Sequence, residues 1–99
     1  MMINVSELLY VESEGNYLRV VCKSEERKIR LTLKQFLSES DPIPEIIPSH
    51  RAYVVNLLNV SYYEGSSRKG EVHFHGRKDT VPVSRNHVRT IIDSLSNLH

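Results

Sequence analysis

Turn-forming residues break this chain at short intervals, and only after Ser84 does a longer uninterrupted pattern begin. That punctuation rules out long helices and large parallel sheets, and it favours many short strands. Leu8–Glu12 (LLYVE) and Tyr17–Cys22 (YLRVVC) are rich in β-formers, with a Glu-Ser-Glu-Gly-Asn turn segment between them. Arg27–Leu31 alternates basic and apolar residues, as an exposed strand does. Thr32 and Gln35 fit a capping box, N-cap and N3, opening a short helix that buries Leu33, Phe36 and Leu37. Ser40-Asp41-Pro42 ends it, and Pro42, Pro44 and Pro48 hold the next stretch extended. Asn59–Glu64 and Glu71–His75 form two strands around Gly65–Gly70, and Gly76–Asp79 turns the chain into Thr80–Val83. From Ser84, a plausible N-cap, the period changes: Val88, Ile91, Ile92, Leu95 and Leu98 fall on one helical stripe. The expectation is a mainly β, α+β domain of about seven strands and two helices, without linker or repeat.

At 99 residues the chain is one domain with a single modest core. No apolar run approaches the ~20 residues that span a bilayer, so no membrane partner is expected. The N-terminus carries acids among its apolar residues and no basic n-region, so it is not a signal peptide. Cys22 stands alone, without a disulfide or metal partner, which fits a reducing cytoplasm. Net charge is +1, but it divides unevenly. Residues 1–65 hold seven basic and nine acidic side chains, residues 66–99 six basic and three acidic. A basic concentration is compatible with a phosphate backbone, but by itself it more often marks a solvated face.

The catalytic options are thin. His73 and His75 lie two apart, on one face of an expected strand, but no third metal ligand is evident. An exposed strand face explains them better, and neither a metal nor another cofactor is expected. Ser84 and His87 have nucleophile-and-base spacing, but nothing supplies an orienting carboxylate or an oxyanion hole. A helix cap accounts for Ser84. No Gly-rich phosphate loop is present, and an enzyme is not expected.

Three polar clusters remain beside strand or helix ends: Glu14-Gly15-Asn16-Tyr17, Ser49-His50-Arg51 and Ser84-Arg85-Asn86-His87. Asn, His and Arg read base edges, and Ser and Tyr reach phosphates. Arg85 falls in the first turn of the final helix, where free backbone N–H groups favour a phosphate oxygen. Each cluster alone could equally be a turn, a strand entrance or a cap.

The order VESEGNYLRV, then SHRAYVVNLLNV, then VPVSRNHVRTII resembles the LytTR family of bacterial DNA-binding domains. The similarity runs from about Val5 to Leu98, with HRAYVVN and PVSRN its most telling parts. It implies an elongated β-sheet domain that sends loops into successive major grooves, without a recognition helix. It also implies two copies on direct repeats, bent DNA, and a receiver domain ahead of the output domain in a two-component response regulator.

Carried over by position, Asn16 and Tyr17 face DNA from the first loop, His50 and Arg51 from the second, Arg85 and Asn86 from the third. Some relatives have histidine in the first loop, a departure here. Arg68 and Lys69 are expected on phosphates, with Arg89 a weaker candidate. Tyr53, Val54 and Val55 become the core residues that hold the second loop. The chain starts directly at the domain, through excision from a longer regulator or through another native arrangement. Sequence-specific double-stranded DNA binding is the leading expectation. A β-rich protein-interaction module of a signalling protein is the alternative, and a metal enzyme built on His73 and His75 is a distant third.

Overall fold

A computed structural model describes residues 4–40 and 43–98. Strands β1 (Leu8–Glu14), β2 (Tyr17–Cys22) and β3 (Glu26–Ile29) lead into helix α1 (Leu33–Ser40). Strands β4 (Ile46–His50), β5 (Tyr53–Asn56), β6 (Val60–Gly65), β7 (Gly70–Phe74) and β8 (Thr80–Val83) follow, and helix α2 (Arg85–Leu98) closes the chain. Two 3₁₀ turns, Val5–Glu7 and Leu57–Asn59, sit at joints. The mainly β reading holds, with eight strands among the described residues.

The strands form two antiparallel sheets, one ordered β3-β2-β1-β5-β4 and the other β6-β7-β8. Alternation explains the larger one. Val20 and Val54 point to one face with Leu18 and Phe36 of α1. Val21 and Val55 point to the other, with Val72, Val81 and α2. Central strand β1 is covered on both faces, which is why LLYV reads as an unbroken apolar run. A register shift between Leu8 and Tyr10 puts adjacent Leu9 and Tyr10 on the same face.

The capping box forms as expected: Thr32 Oγ1 accepts from Gln35 N at 3.1 Å, and Gln35 Oε1 accepts from Thr32 N at 2.9 Å. Only Phe36 of that helix is fully buried, while Leu33 and Leu37 are half-buried. The expected stop at Asp41-Pro42 lies outside the described residues. Pro48 is tolerated inside β4 because β4 is an edge strand.

Helix α2 corrects its sequence reading. Val88, Ile91 and Leu95 are buried, but Ile92 and Leu98 are 38% and 39% exposed. Ile92 lies about 100° around the axis from Ile91, on the flank of the stripe. It lines a shallow apolar groove with Tyr62, Tyr63 and Leu95 instead of entering the core.

Asn56 closes the YVVN run and is fully buried. Its Nδ2 donates to the Val5 and Leu8 carbonyls at 2.8 and 3.0 Å, and its Oδ1 accepts from Leu58 N at 3.2 Å. One amide side chain thereby joins the N-terminal turn to the Leu57–Asn59 turn.

Candidate nucleic-acid interface

The three polar clusters meet at one end of the domain, joined by two backbone hydrogen bonds. The first cluster is the β1–β2 hairpin tip. Gly15 adopts φ +62° while Asn16 does not enter positive φ, the pattern of a type II′ turn. Asn16 is exposed and Tyr17 is 46% exposed, beside the last β1–β2 pair, Glu14 with Tyr17.

The second cluster is the β4–β5 turn, Arg51-Ala52. The Ala52 carbonyl accepts from Ser13 N at 2.8 Å, fixing this turn beside the first hairpin. His50 Nδ1 accepts from Ala52 N at 3.1 Å, and its ring meets Tyr53 edge-on at 5.7 Å. One imidazole nitrogen is therefore committed to shaping the turn, and only Nε2 is left for another partner. Arg51 is exposed at the tip and makes no ion pair among the described residues.

Behind the turn stands a polar brace. Tyr53 donates its hydroxyl to Glu12 Oε2 at 2.7 Å, and Arg19 donates to Glu12 Oε1 at 2.6 and 3.1 Å. Burial and then the Glu12 carboxylate push the Tyr53 phenol up to about 12. Burial alone would raise the Glu12 pKa, but hydrogen bonds from Tyr53 and Arg19 outweigh it and hold the carboxyl below its usual range.

The third cluster is tied to the second through a bulge. Pro48 pairs with Val54 and His50 with Tyr53, so Ser49 is an extra residue in β4. Its carbonyl accepts from Ser84 N at 2.9 Å, which places the start of α2 against the second turn. Arg85 and Asn86 are exposed in that first helical turn. The Ser84 hydroxyl meets His87 Nδ1 at 2.8 Å, a side-chain contact and not the bond to a backbone N–H of the first turn that the expected N-cap would make. No carboxylate among the described residues bonds to that imidazole, and the pair lacks an orienter for nucleophilic chemistry.

The β6–β7 loop joins the same end. Gly70 pairs with Gly65 in β6 and with Val83 in β8, so residues 66–69 adjoin Ser84. A Cβ on Gly70 would approach the Glu64 carbonyl to 2.5 Å, so glycine is required at this neck. Ser66 Oγ accepts from Arg68 N at 3.1 Å and organises the tip, with Arg68 and Lys69 exposed. Arg89 is 93% exposed one turn after Arg85, with a 3.6 Å contact to Asp93.

The basic concentration of residues 66–99 is thus divided. Arg77 and Lys78 sit in the β7–β8 turn, at the other end of β7 from Gly70. Arg77 is spent on Asp79, with bonds of 2.8 and 2.9 Å. Sequence reasoning missed Arg30, which is exposed and lines a hollow with Gly15 and Asn16. Ile29 pairs with Leu18, so Arg30 arrives level with Tyr17. The RKIRL alternation displayed it as a strand residue, with no sign of which turn it would neighbour.

His73 and His75 do not share a strand face as expected. His75 lies beyond the end of β7 and is exposed, whereas His73 turns to Glu64 and Glu71. No helix of the described residues is long and apolar enough to cross a membrane.

A β framework that gathers cationic loops along one end has the build of a module that meets nucleic acid with loops. The chain belongs to the LytTR family: the family profile for the LytTr DNA-binding domain matches residues 1–96. Among solved structures, it is similar to the LytTr DNA-binding domain of a Bacillus cereus protein described as a methyl-accepting/DNA response regulator. The TM-score is 0.78 at 18% identity, covering 97% of this chain and 86% of that one. Among curated proteins, none matches the sequence significantly.

Proposed function

We propose that this domain binds double-stranded DNA at specific sequences, as the output domain of a bacterial two-component response regulator. Family membership supplies the DNA-binding class. The two backbone bonds, Ser13 to Ala52 and Ser84 to Ser49, are the observation that supports one composite reading edge. Along it Arg85 and Asn86 contact base edges, with Arg51 and Asn16 beside them. Arg68, Lys69 and Arg89 contact phosphates, and Arg30 joins them near the first hairpin. Tyr17 and His50 complete the contact set, His50 through Nε2.

The loops enter neighbouring major grooves, and two copies sit on direct repeats. A phosphorylated receiver domain in the full-length regulator would control their pairing in the cytoplasm. The work is binding, with no catalysis.

Selection from a pool of randomised duplexes tests this reading. It should enrich a repeated motif whose affinity falls steeply with salt, because phosphate contacts release counterions. A protein-interaction module would enrich no motif and show no such slope.

A further inference from the structure

We propose that the outer face of the three-stranded sheet binds a borderline divalent metal ion, best matched by Zn²⁺, through Glu64, Glu71 and His73. This site uses none of the residues assigned to the DNA-reading edge. Glu64 and Glu71 face each other in the β6–β7 ladder, and His73 follows Glu71 by two residues on the same face. One ligand atom from each lies within 4.8 Å of the others.

The spacings suit a shared ion. His73 Nε2 is 2.8 Å from Glu64 Oε1 and 3.5 Å from Glu71 Oε1. Tetrahedral bonds of roughly 2.0–2.2 Å separate neighbouring ligand atoms by about 3.3–3.6 Å. Opening the His73–Glu64 contact by about half an ångström and adjusting the Glu64–Glu71 separation, which is within 4.8 Å, complete the geometry, and Glu64 is exposed and free to move.

The ligands are also held from outside. Tyr62 stacks on the His73 ring at 4.3 Å with 5° between planes, which fixes the imidazole orientation. Thr80 Oγ1 donates to Glu71 Oε2 at 2.9 Å, leaving Oε1 for the ion. Such outer partners are what a metal-binding histidine and carboxylate use.

Charge points the same way. Two carboxylates directly opposite in a ladder repel, and a divalent cation reverses that sign. One imidazole with two carboxylates selects zinc-like ions over Mg²⁺ and Ca²⁺, which take larger all-oxygen shells. Solvent fills the fourth position, since Glu64 is 64% exposed at its side chain. The site adjoins the Gly65–Gly70 neck, so a bound ion staples the hairpin that carries Arg68 and Lys69.

The test is calorimetric titration of the metal-stripped chain with ZnCl₂ at pH 7.5 in a non-chelating buffer. One ion should bind per chain, and MgCl₂ should give no saturable heat. His73→Gln, Glu64→Gln and Glu71→Gln should each weaken binding at least about tenfold, while His75→Gln leaves it unchanged. Glu64 and His75 are exposed, Glu71 and His73 half-buried, and circular dichroism checks that each variant folds. Zinc should also raise the thermal midpoint of the parent by a few degrees and leave that of His73→Gln in place. Absence of saturable binding overturns the proposal, leaving an imidazole shared between two glutamates. Binding that survives any of the three ligand substitutions overturns it as well.

Discussion

The backbone N–H of Ser84 donates to the carbonyl of Ser49 at 2.9 Å, across 35 residues of chain. That bond joins the start of the last helix to the bulge of an edge strand, and so joins two of the three polar clusters. The Ser49 hydroxyl does nothing comparable. It is buried without a hydrogen-bond partner among the described residues. Ser49→Ala should therefore keep the fold and raise stability by about 1 kcal/mol, since a buried unpaired hydroxyl carries a desolvation cost. A urea melt measures it, and a loss above 1 kcal/mol would mean the hydroxyl has a partner such as an ordered water.

Asn56 is the opposite case. Its three hydrogen bonds reach two separate turns from a fully buried position. Asn56→Ala should cost about 1–3 kcal/mol, because it leaves the Leu58 N–H without a partner and takes one of two donors from each of the Val5 and Leu8 carbonyls, which keep Leu8 N and Asn59 Nδ2. Chemical denaturation checks the value, and a change under 0.5 kcal/mol would show that solvent replaces the amide.

Helix α2 gives a paired prediction. Ile91 is fully buried and Ile92 is 38% exposed. Ile91→Ala should cost about 2–5 kcal/mol, and Ile92→Ala less than about 1.5 kcal/mol. Equal losses in thermal melts would mean that the helix is rotated on the sheet.

Stability should fall at both pH extremes for identifiable reasons. Arg77 holds Asp79 below the usual carboxylate range. Tyr53 and Arg19 do the same for Glu12, against the opposing effect of burial. The native state then binds these protons less readily than the unfolded chain. Their contribution is complete above a pH of about 4.5 and drains away as pH falls below it. Tyr53, raised to about 12, acts in reverse: its contribution is complete below a pH of about 10 and is lost on the way to 12. Denaturant midpoints across pH should show an acid slope reduced by Asp79→Asn and an alkaline slope reduced by Tyr53→Phe. Unchanged slopes in those variants would remove the two pairs from the account.

Much of the fold was legible because its signals are local. The Thr32/Gln35 capping box, the glycine at the first hairpin and the Gly65–Gly70 turn all act within a few residues. The partition into two sheets was not legible, since β1 pairs with β5 some 40 residues away. The role of Asn56 was not legible, because its partners, Val5 and Leu8, lie far back in the chain. Ile92 fitted the helical stripe, but Val88, Ile91 and Leu95 suffice to cover the sheet. For the interface, residue types could be read but not their grouping. Arg77 and Arg68 look alike in sequence, yet one is paired with Asp79 and the other is exposed in the loop that adjoins Ser84.

The central claim is that Arg85 reads a base while Arg68 holds phosphate. The most direct measurement titrates Arg85→Ala, Arg68→Ala and the parent against a selected duplex and its scrambled version at several salt concentrations. Arg85→Ala should lose about 1–3 kcal/mol on the selected duplex, little on the scrambled one, and relax preference at one base pair. Arg68→Ala should weaken both duplexes alike and lower the salt slope by about one. If Arg85→Ala weakens both duplexes by the same factor, Arg85 is a backbone contact and the base-reading assignment is wrong.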